Sequence, residues 1–296
     1  MRKSAKKGNA MPCWVEDAPA KVNLALDILR RRPDGYHDLR MVMQSVSLCD
    51  TVTVEEQSDG FALETGGFAL LSGKSMEERA AQAFFAAVGQ TMPGLRVTLE
   101  KRIPAYAGLG GGSSDVAALL RLLRKAYCPS MDAAELARIG LSISSDTPFC
   151  IRGGAALAEG RGEILTPLPP LPDAHLVLCK PPFGIPTPML FQRADSIQIQ
   201  RRPDVDGLAD ALRRGDFHDA ASRTGNVFEE VLTPEYAEVF AIKRRLLELG
   251  AKSAVMSGSG PTVCGIFRDA DAKQAADTLR NDYPETFYAV PLAPCF

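Results

Sequence analysis

No stretch of this 296-residue chain reaches eighteen consecutive apolar residues, so no segment is built to cross a bilayer as a helix. There is no Cys-x-x-Cys pair. The seven cysteines stand scattered at 13, 49, 128, 150, 179, 264 and 295, an odd count that reads as small apolar fillers in a reducing, cytoplasmic compartment. Histidine is scarce as well: His37, His175 and His218 show no metal-ligand spacing. Neither sign of charge dominates. A balance of 34 basic against 36 acidic residues gives a net charge of −2, which offers no electrostatic case for nucleic acid or a membrane surface as partner. Internal repeats and low-complexity segments are absent. Only the first ten residues are lopsided, with Arg2, Lys3, Lys6 and Lys7 and no acid. No apolar core follows them, so residues 1–10 read as a basic disordered tail and not as a secretory signal.

What remains has a globular composition, 46% hydrophobic and 24% charged. The richest segment runs from Pro104 through Ala105, Tyr106, Ala107, Gly108, Leu109, Gly110, Gly111 and Gly112 to Ser113, Ser114 and Asp115. Four glycines in five positions permit backbone shapes closed to other residues. Ser113 and Ser114 follow as candidate caps, and Val116 to Tyr127 reads as a helix with a stripe of Leu119, Leu120, Leu122 and Leu123. A helix start exposes unpaired N–H groups and the positive end of the dipole, a ready cradle for phosphate. Two familiar phosphate motifs fail on spacing. Gly73-Lys74-Ser75 has Phe68 where a Walker A first glycine belongs, and Ser113 stands where a dinucleotide fingerprint needs its last glycine.

The rest of the chain alternates strands and helices. Ala18 to Leu29 is an extended apolar run carrying Lys21 and Asn23, followed by a Pro33-Asp34-Gly35 turn. Strands are expected over 41–48, 51–55, 61–63, 95–99, 176–179, 254–256 and 263–267. Helices are expected over 76–88, 208–213, 219–223, 236–249 and 272–281, with another opening at Asp132 and stopping near Gly140. Pro167 to Pro172 reads as a stiff linker. The sum is an α+β chain in two halves.

Four segments, in this order, resemble the GHMP small-molecule kinases: Pro19-Ala20-Lys21-Val22-Asn23-Leu24, Arg31 to Leu39, Ile103 to Asp115, and Ser257-Gly258-Ser259-Gly260-Pro261-Thr262. Lesser matches are Asp146-Thr147-Pro148-Phe149 and Ile185-Pro186-Thr187-Pro188, and Gly225 to Glu229 also resembles a family segment, without a role for Asn226. Asp34-Gly35-Tyr36-His37 narrows the resemblance to the branch acting on a cytidine-diphosphate-linked methylerythritol in non-mevalonate isoprenoid synthesis. The resemblance implies a two-domain α+β fold with the active site in the cleft, over residues 11–160 and 161–296. It implies that Pro104 to Ser114 wraps the ATP phosphates. Asp146 would be the base for the attacking hydroxyl, with Lys21 beside it as second catalytic group and Asn23 holding the acceptor. Tyr36 would stack on the base and His37 bond its edge, with Phe191 stacking from the other side and Thr187 at the substrate. ATP and Mg²⁺ are the implied cofactors, with no acidic cluster announcing the metal ligands and Ser114 as a contributor the loop could supply. Ser144, Thr147 and Cys150 depart from the family pattern around Asp146. Other kinases of the superfamily, acting on homoserine or mevalonate derivatives, have no base to stack. A nucleotide-binding regulator without turnover would not need Lys21 and Asp146.

Overall fold

The computed structural model describes residues 12–66, 74–269 and 271–295. The basic tail and Gly73 of the Gly73-Lys74-Ser75 turn lie outside them. Eleven strands occur among these residues: β1 (Cys13–Arg31), β2 (His37–Gln57), β3 (Phe61–Thr65), β4 (Gly94–Glu100), β5 (Ala155–Gly160), β6 (Ile164–Leu168), β7 (His175–Cys179), β8 (Gly225–Asn226), β9 (Ser253–Met256), β10 (Val263–Phe267) and β11 (Thr286–Ala289). Nine α-helices accompany them: α1 (Met76–Ala87), α2 (Gly111–Tyr127), α3 (Ala133–Leu141), α4 (Thr147–Arg152), α5 (Thr187–Ser196), α6 (Val205–Arg214), α7 (Phe217–Ser222), α8 (Glu238–Glu248) and α9 (Asp271–Arg280).

Two sheets result. The first runs β3-β4-β2-β1-β8, with β5 pairing to β2 and β6 to β5; the second runs β11-β7-β10-β9. The expected strands 41–48 and 51–55 are one element. β2 is long enough to pair with β5 over Leu39 to Gln44 and with β4 over Thr51 to Gln57, while β1 covers its other edge. β1 reads as a continuous apolar run because both of its faces are buried. Leu26 joins the core under α1 to α4, and Ala20, Val22 and Leu24 join the core beneath β7, α6 and α7.

β6 extends the first sheet through residues 164–168, past the expected division at 160, and takes in the start of the proline-rich stretch. The chain's end also returns to this sheet, where Leu292 donates to the Ser45 carbonyl at 2.9 Å. α5 is not among the helices expected from sequence. Pro188 is harmless in the first turn, where its missing N–H would have no helical partner.

The helix after the glycine loop begins at Gly111, five residues before the expected start at Val116. Gly110 is its N-cap in left-handed conformation, and Ser113 and Ser114 are not caps. Ser113 Oγ meets Ser144 Oγ at 2.7 Å, and Ser114 Oγ donates to the Pro19 carbonyl at 2.6 Å. Gly140 lies inside α3, pressed against Thr147, so it is a packing glycine and not a stop. All seven cysteines are unpaired; Cys150, Cys179 and Cys264 are buried, and Cys13 and Cys295 are exposed.

Candidate active site

Three segments far apart in sequence are laced together at the middle of β1, around Lys21 and Asn23. The Lys21 N–H donates to the Leu109 carbonyl at 2.9 Å, tying the strand to the glycine loop. The Asn23 N–H donates to Ser257 Oγ at 3.2 Å, and that hydroxyl donates to the Gly108 carbonyl at 3.0 Å. Asn226, without a role from sequence, holds the second turn from behind: its Nδ2 donates to the carbonyls of Met256 at 2.7 Å and Gly258 at 2.8 Å. Two glycines are demanded by this closeness. Gly108 has φ +73° and its absent Cβ would lie 2.1 Å from the Ser257 carbonyl oxygen. Gly110 has φ +70° and a Cβ there would meet Lys21 Cγ at 2.9 Å.

The Lys21 side chain is 6% exposed, which makes its partners decisive. Its Nζ donates to Asn23 Oδ1 at 2.8 Å and stands 3.4 Å from Asp146 Oδ2. Asp146 sits at the start of α4, yet its side chain makes no cap hydrogen bond. The carboxylate is partly open, and Lys21 is its side-chain partner among the described residues. It is an acceptor with room for a hydroxyl, held beside the buried Lys21 ammonium. The departures at Ser144 and Thr147 leave this arrangement intact: Ser144 anchors to Ser113, and Thr147 packs under Gly140.

The glycine loop borders a cleft of about 800 Å³, lined also by Leu63, Met76, Leu99, Lys101 and Ile185. That volume suits a nucleotide. Helix α2 aims its N-terminus here. Its first intrahelical bond is Ser114 N–H to the Gly110 carbonyl, which leaves the N–H groups of Gly111, Gly112 and Ser113 without an intrahelical acceptor. Thr187 closes one side through a 2.8 Å bond from its Oγ1 to Ser259 Oγ.

Sequence reading missed a charged cluster at the floor of this cleft. Lys101 Nζ is shared between Asp50 Oδ2 and Asp115 Oδ2, while Asp50 Oδ1 accepts from the N–H of Ile103 at 2.8 Å. One cation cannot serve two buried carboxylates fully. Burial pushes the Asp115 carboxyl up to about 7 against the pull of Lys101, and Asp50 and Glu77 add to the rise. Residues 50, 101 and 115 carry no shared pattern; the pairing of β2 with β4 brings Asp50 to Lys101, and the packing of α2 on the sheet adds Asp115. Lys101→Met leaves both acids without a cation. It is expected to lower the unfolding free energy in urea by about 2 kcal/mol or more, short of the full value for a broken buried pair because Lys101 is partly exposed.

Of the residues expected at the nucleobase, Tyr36 and His37 stand at the start of β2 and Phe191 lies one helical turn along α5. Phe191 follows Thr187 by four positions, so both project from the same face. Its ring stacks on His37, with centroids 4.6 Å apart and planes 16° from parallel, and stands edge-on to Phe228 at 5.0 Å. Tyr36 is 53% exposed, with the Arg161 guanidinium 4.6 Å from its ring centre. Phe191 thus faces His37 in this structure and not Tyr36. The other histidines are elsewhere: His175 opens β7 with its Nδ1 2.6 Å from the Tyr288 hydroxyl, and the His218 ring stands edge-on to Phe217.

Comparison with known proteins meets this geometry from outside. Residues 76–154 match the family model of the GHMP kinases N terminal domain, and residues 204–285 match that of the GHMP kinases C terminal. A 4-diphosphocytidyl-2-C-methyl-D-erythritol kinase from Moorella thermoacetica is 43% identical over 91% of this chain and 95% of its own length. The chain belongs to this family of GHMP kinases. A second member, from Lachnoclostridium phytofermentans, is 37% identical over 90% of the chain and 91% of its own length. A crystal structure of a 4-(cytidine 5'-diphospho)-2C-methyl-D-erythritol kinase superposes with a TM-score of 0.77 at 32% identity, covering 94% of this chain and 99% of that one. A homoserine kinase from Cytophaga hutchinsonii superposes at 0.72 with 16% identity, which speaks for the shared fold alone. Among the described residues no helix is long and apolar enough to cross a membrane.

Proposed function

We propose that this chain transfers the γ-phosphoryl group of ATP to a hydroxyl of 4-diphosphocytidyl-2-C-methyl-D-erythritol, giving the 2-phosphate and ADP in non-mevalonate isoprenoid synthesis. The observation that carries the chemistry is the Lys21–Asp146 pair, 3.4 Å apart and beside the glycine loop. Asp146 accepts a hydrogen bond from the acceptor hydroxyl and takes its proton as the phosphoryl group arrives. Lys21 offsets the charge growing on that oxygen, and Asn23 orients the lysine through its 2.8 Å bond. Pro104 to Ser114 and the start of α2 receive the β- and γ-phosphates on backbone N–H groups. Phosphoryl transfer is mainly positioning and charge stabilisation, which suits a site rich in fixed donors.

ATP binding belongs to the N-terminal domain, taken as 11–160. Tyr36, His37, Phe191 and Thr187 receive the cytidine end and the acceptor. The hard oxygens at the cleft floor fit Mg²⁺: Asp115 Oδ1 is buried with no hydrogen-bond partner, and Glu77 lines the same cleft. Those two carboxylates would hold the ion, and the Ser114 hydroxyl, whose proton goes to the Pro19 carbonyl, keeps oxygen lone pairs that would be free to join them. When bound with ATP, the ion screens charge on the phosphate oxygens.

The test is a steady-state assay of ADP formation with the cytidyl compound, mevalonate and homoserine as separate acceptors. The expected result is turnover with the cytidyl compound at a kcat/KM at least about a hundredfold above the other two, since those have no base to recognise. No turnover of the cytidyl compound overturns the reading.

A further inference from the structure

His37 is a buried ring with only one nitrogen engaged. Its side chain is 6% exposed, its Nε2 lies 2.9 Å from Asp195 Oδ1, and no hydrogen bond to Nδ1 exists among the described residues. Asp195 is in the last turn of α5, and its other oxygen, Oδ2, lies 3.8 Å from Arg31 Nε at the end of β1. The Phe191 ring fixes the plane of the imidazole from one face.

These contacts carry a consequence for the base. A carboxylate oxygen is acceptor-only, so the proton between it and the ring must sit on Nε2. In the neutral imidazole the second nitrogen then has a lone pair and no hydrogen. We infer that Asp195 is a specificity-positioning residue: by holding the Nε2 proton of His37 it presents Nδ1 as an acceptor, which takes a hydrogen bond from an exocyclic amine on the pyrimidine and turns away a carbonyl at the same place. The inference rests on the proposed function, in which His37 meets the base edge. It adds that cytosine is told from uracil by a proton placed two groups away.

The discriminating variant is Asp195→Asn. Arg31 draws the amide oxygen toward itself, so the amide nitrogen faces His37 and donates to Nε2. The ring proton then moves to Nδ1, which becomes a donor. Wild type is expected to prefer the cytidyl compound over its uridyl counterpart by at least about a hundredfold in kcat/KM, the range for a site left with an unmatched polar group. The variant is expected to lose at least about tenfold of that preference, mainly through a higher KM for the cytidyl compound, with ATP KM unchanged. Asp195→Glu, which restores a carboxylate, is expected to recover part of the preference. ¹⁵N shifts of the His37 ring at pH 8 give a second reading, with Nε2 protonated in wild type and Nδ1 protonated in Asp195→Asn. An unchanged cytidyl-to-uridyl ratio in Asp195→Asn, or Nδ1 protonated in wild type, overturns the assignment while wild-type turnover stands. No turnover of the cytidyl compound by wild type overturns the functional reading itself and this inference with it.

Discussion

Asp146→Asn is expected to bind ATP within about threefold of wild type and to lose about a thousandfold or more in kcat, the upper range for removal of a positioned general base. The substitution keeps the shape of the side chain and its place at the start of α4, where Asp146 makes no capping bond whose loss could unfold the helix. It removes the charge that faces Lys21 at 3.4 Å and with it the carboxylate proposed to accept a proton from the incoming hydroxyl. ATP is proposed to sit against a different set of groups, the loop N–H donors and the start of α2, so its affinity has no reason to change greatly. Titration calorimetry with ATP and a single-turnover measurement of phosphoryl transfer separate the two quantities. A variant that keeps kcat removes Asp146 from the base role.

Gly108→Ala is expected to destabilise the protein by about 3–4 kcal/mol and to weaken ATP binding at least about a hundredfold. Two costs add. The left-handed backbone, φ +73°, costs a non-glycine residue about 1–2 kcal/mol. The new methyl would lie 2.1 Å from the Ser257 carbonyl oxygen, a distance no contact allows, so the two glycine turns must part at a further cost of about 1–3 kcal/mol. Parting them also releases the Ser257 hydroxyl from Asn23 and Gly108, the bonds that shape the nucleotide side of the site. Gly89→Ala separates the two terms, because Gly89 has φ +66° with nothing within 4 Å of its absent Cβ. Urea unfolding of both variants should therefore show the second losing only about 1 kcal/mol. Equal losses would mean that the contact between the two turns is not what demands glycine at 108.

Much of the site was legible before the fold. Lys21, Asn23, Asp146, Thr187 and both glycine turns were singled out in sequence, and the lacing around Ser257 brings them to one place. Local pattern carried most of the elements too, since strand alternation and leucine spacing are short-range signals. What escaped was cooperative. Lys101 meets Asp50 because β2 and β4 pair in one register, and Asp115 because α2 packs on that sheet; no window of sequence contains either. Asn226 looked idle until its amide was seen to hold two carbonyls of the second turn. Arg121, within the leucine stripe, is buried at 2% and satisfied by Glu16 and by the Cys150 and Asp17 carbonyls, all far away in sequence. Phe191 was expected to face Tyr36 across a base, whereas α5 turns it onto His37.

By itself the sequence determined the α+β character and a glycine-rich loop opening a helix, because each rests on neighbours within about a dozen positions; the residue types proposed for the chemistry came from the resemblance to the GHMP kinases. The tertiary structure alone decided how those residues act on one another. A carboxylate is a base only when a cation and an open face are placed beside it, as Lys21 is beside Asp146. A histidine is an acceptor or a donor only according to what holds its far nitrogen, as Asp195 holds His37. Both depend on distances of a few ångströms between segments more than a hundred residues apart, and such distances are set by strand register and helix packing, not by local preference.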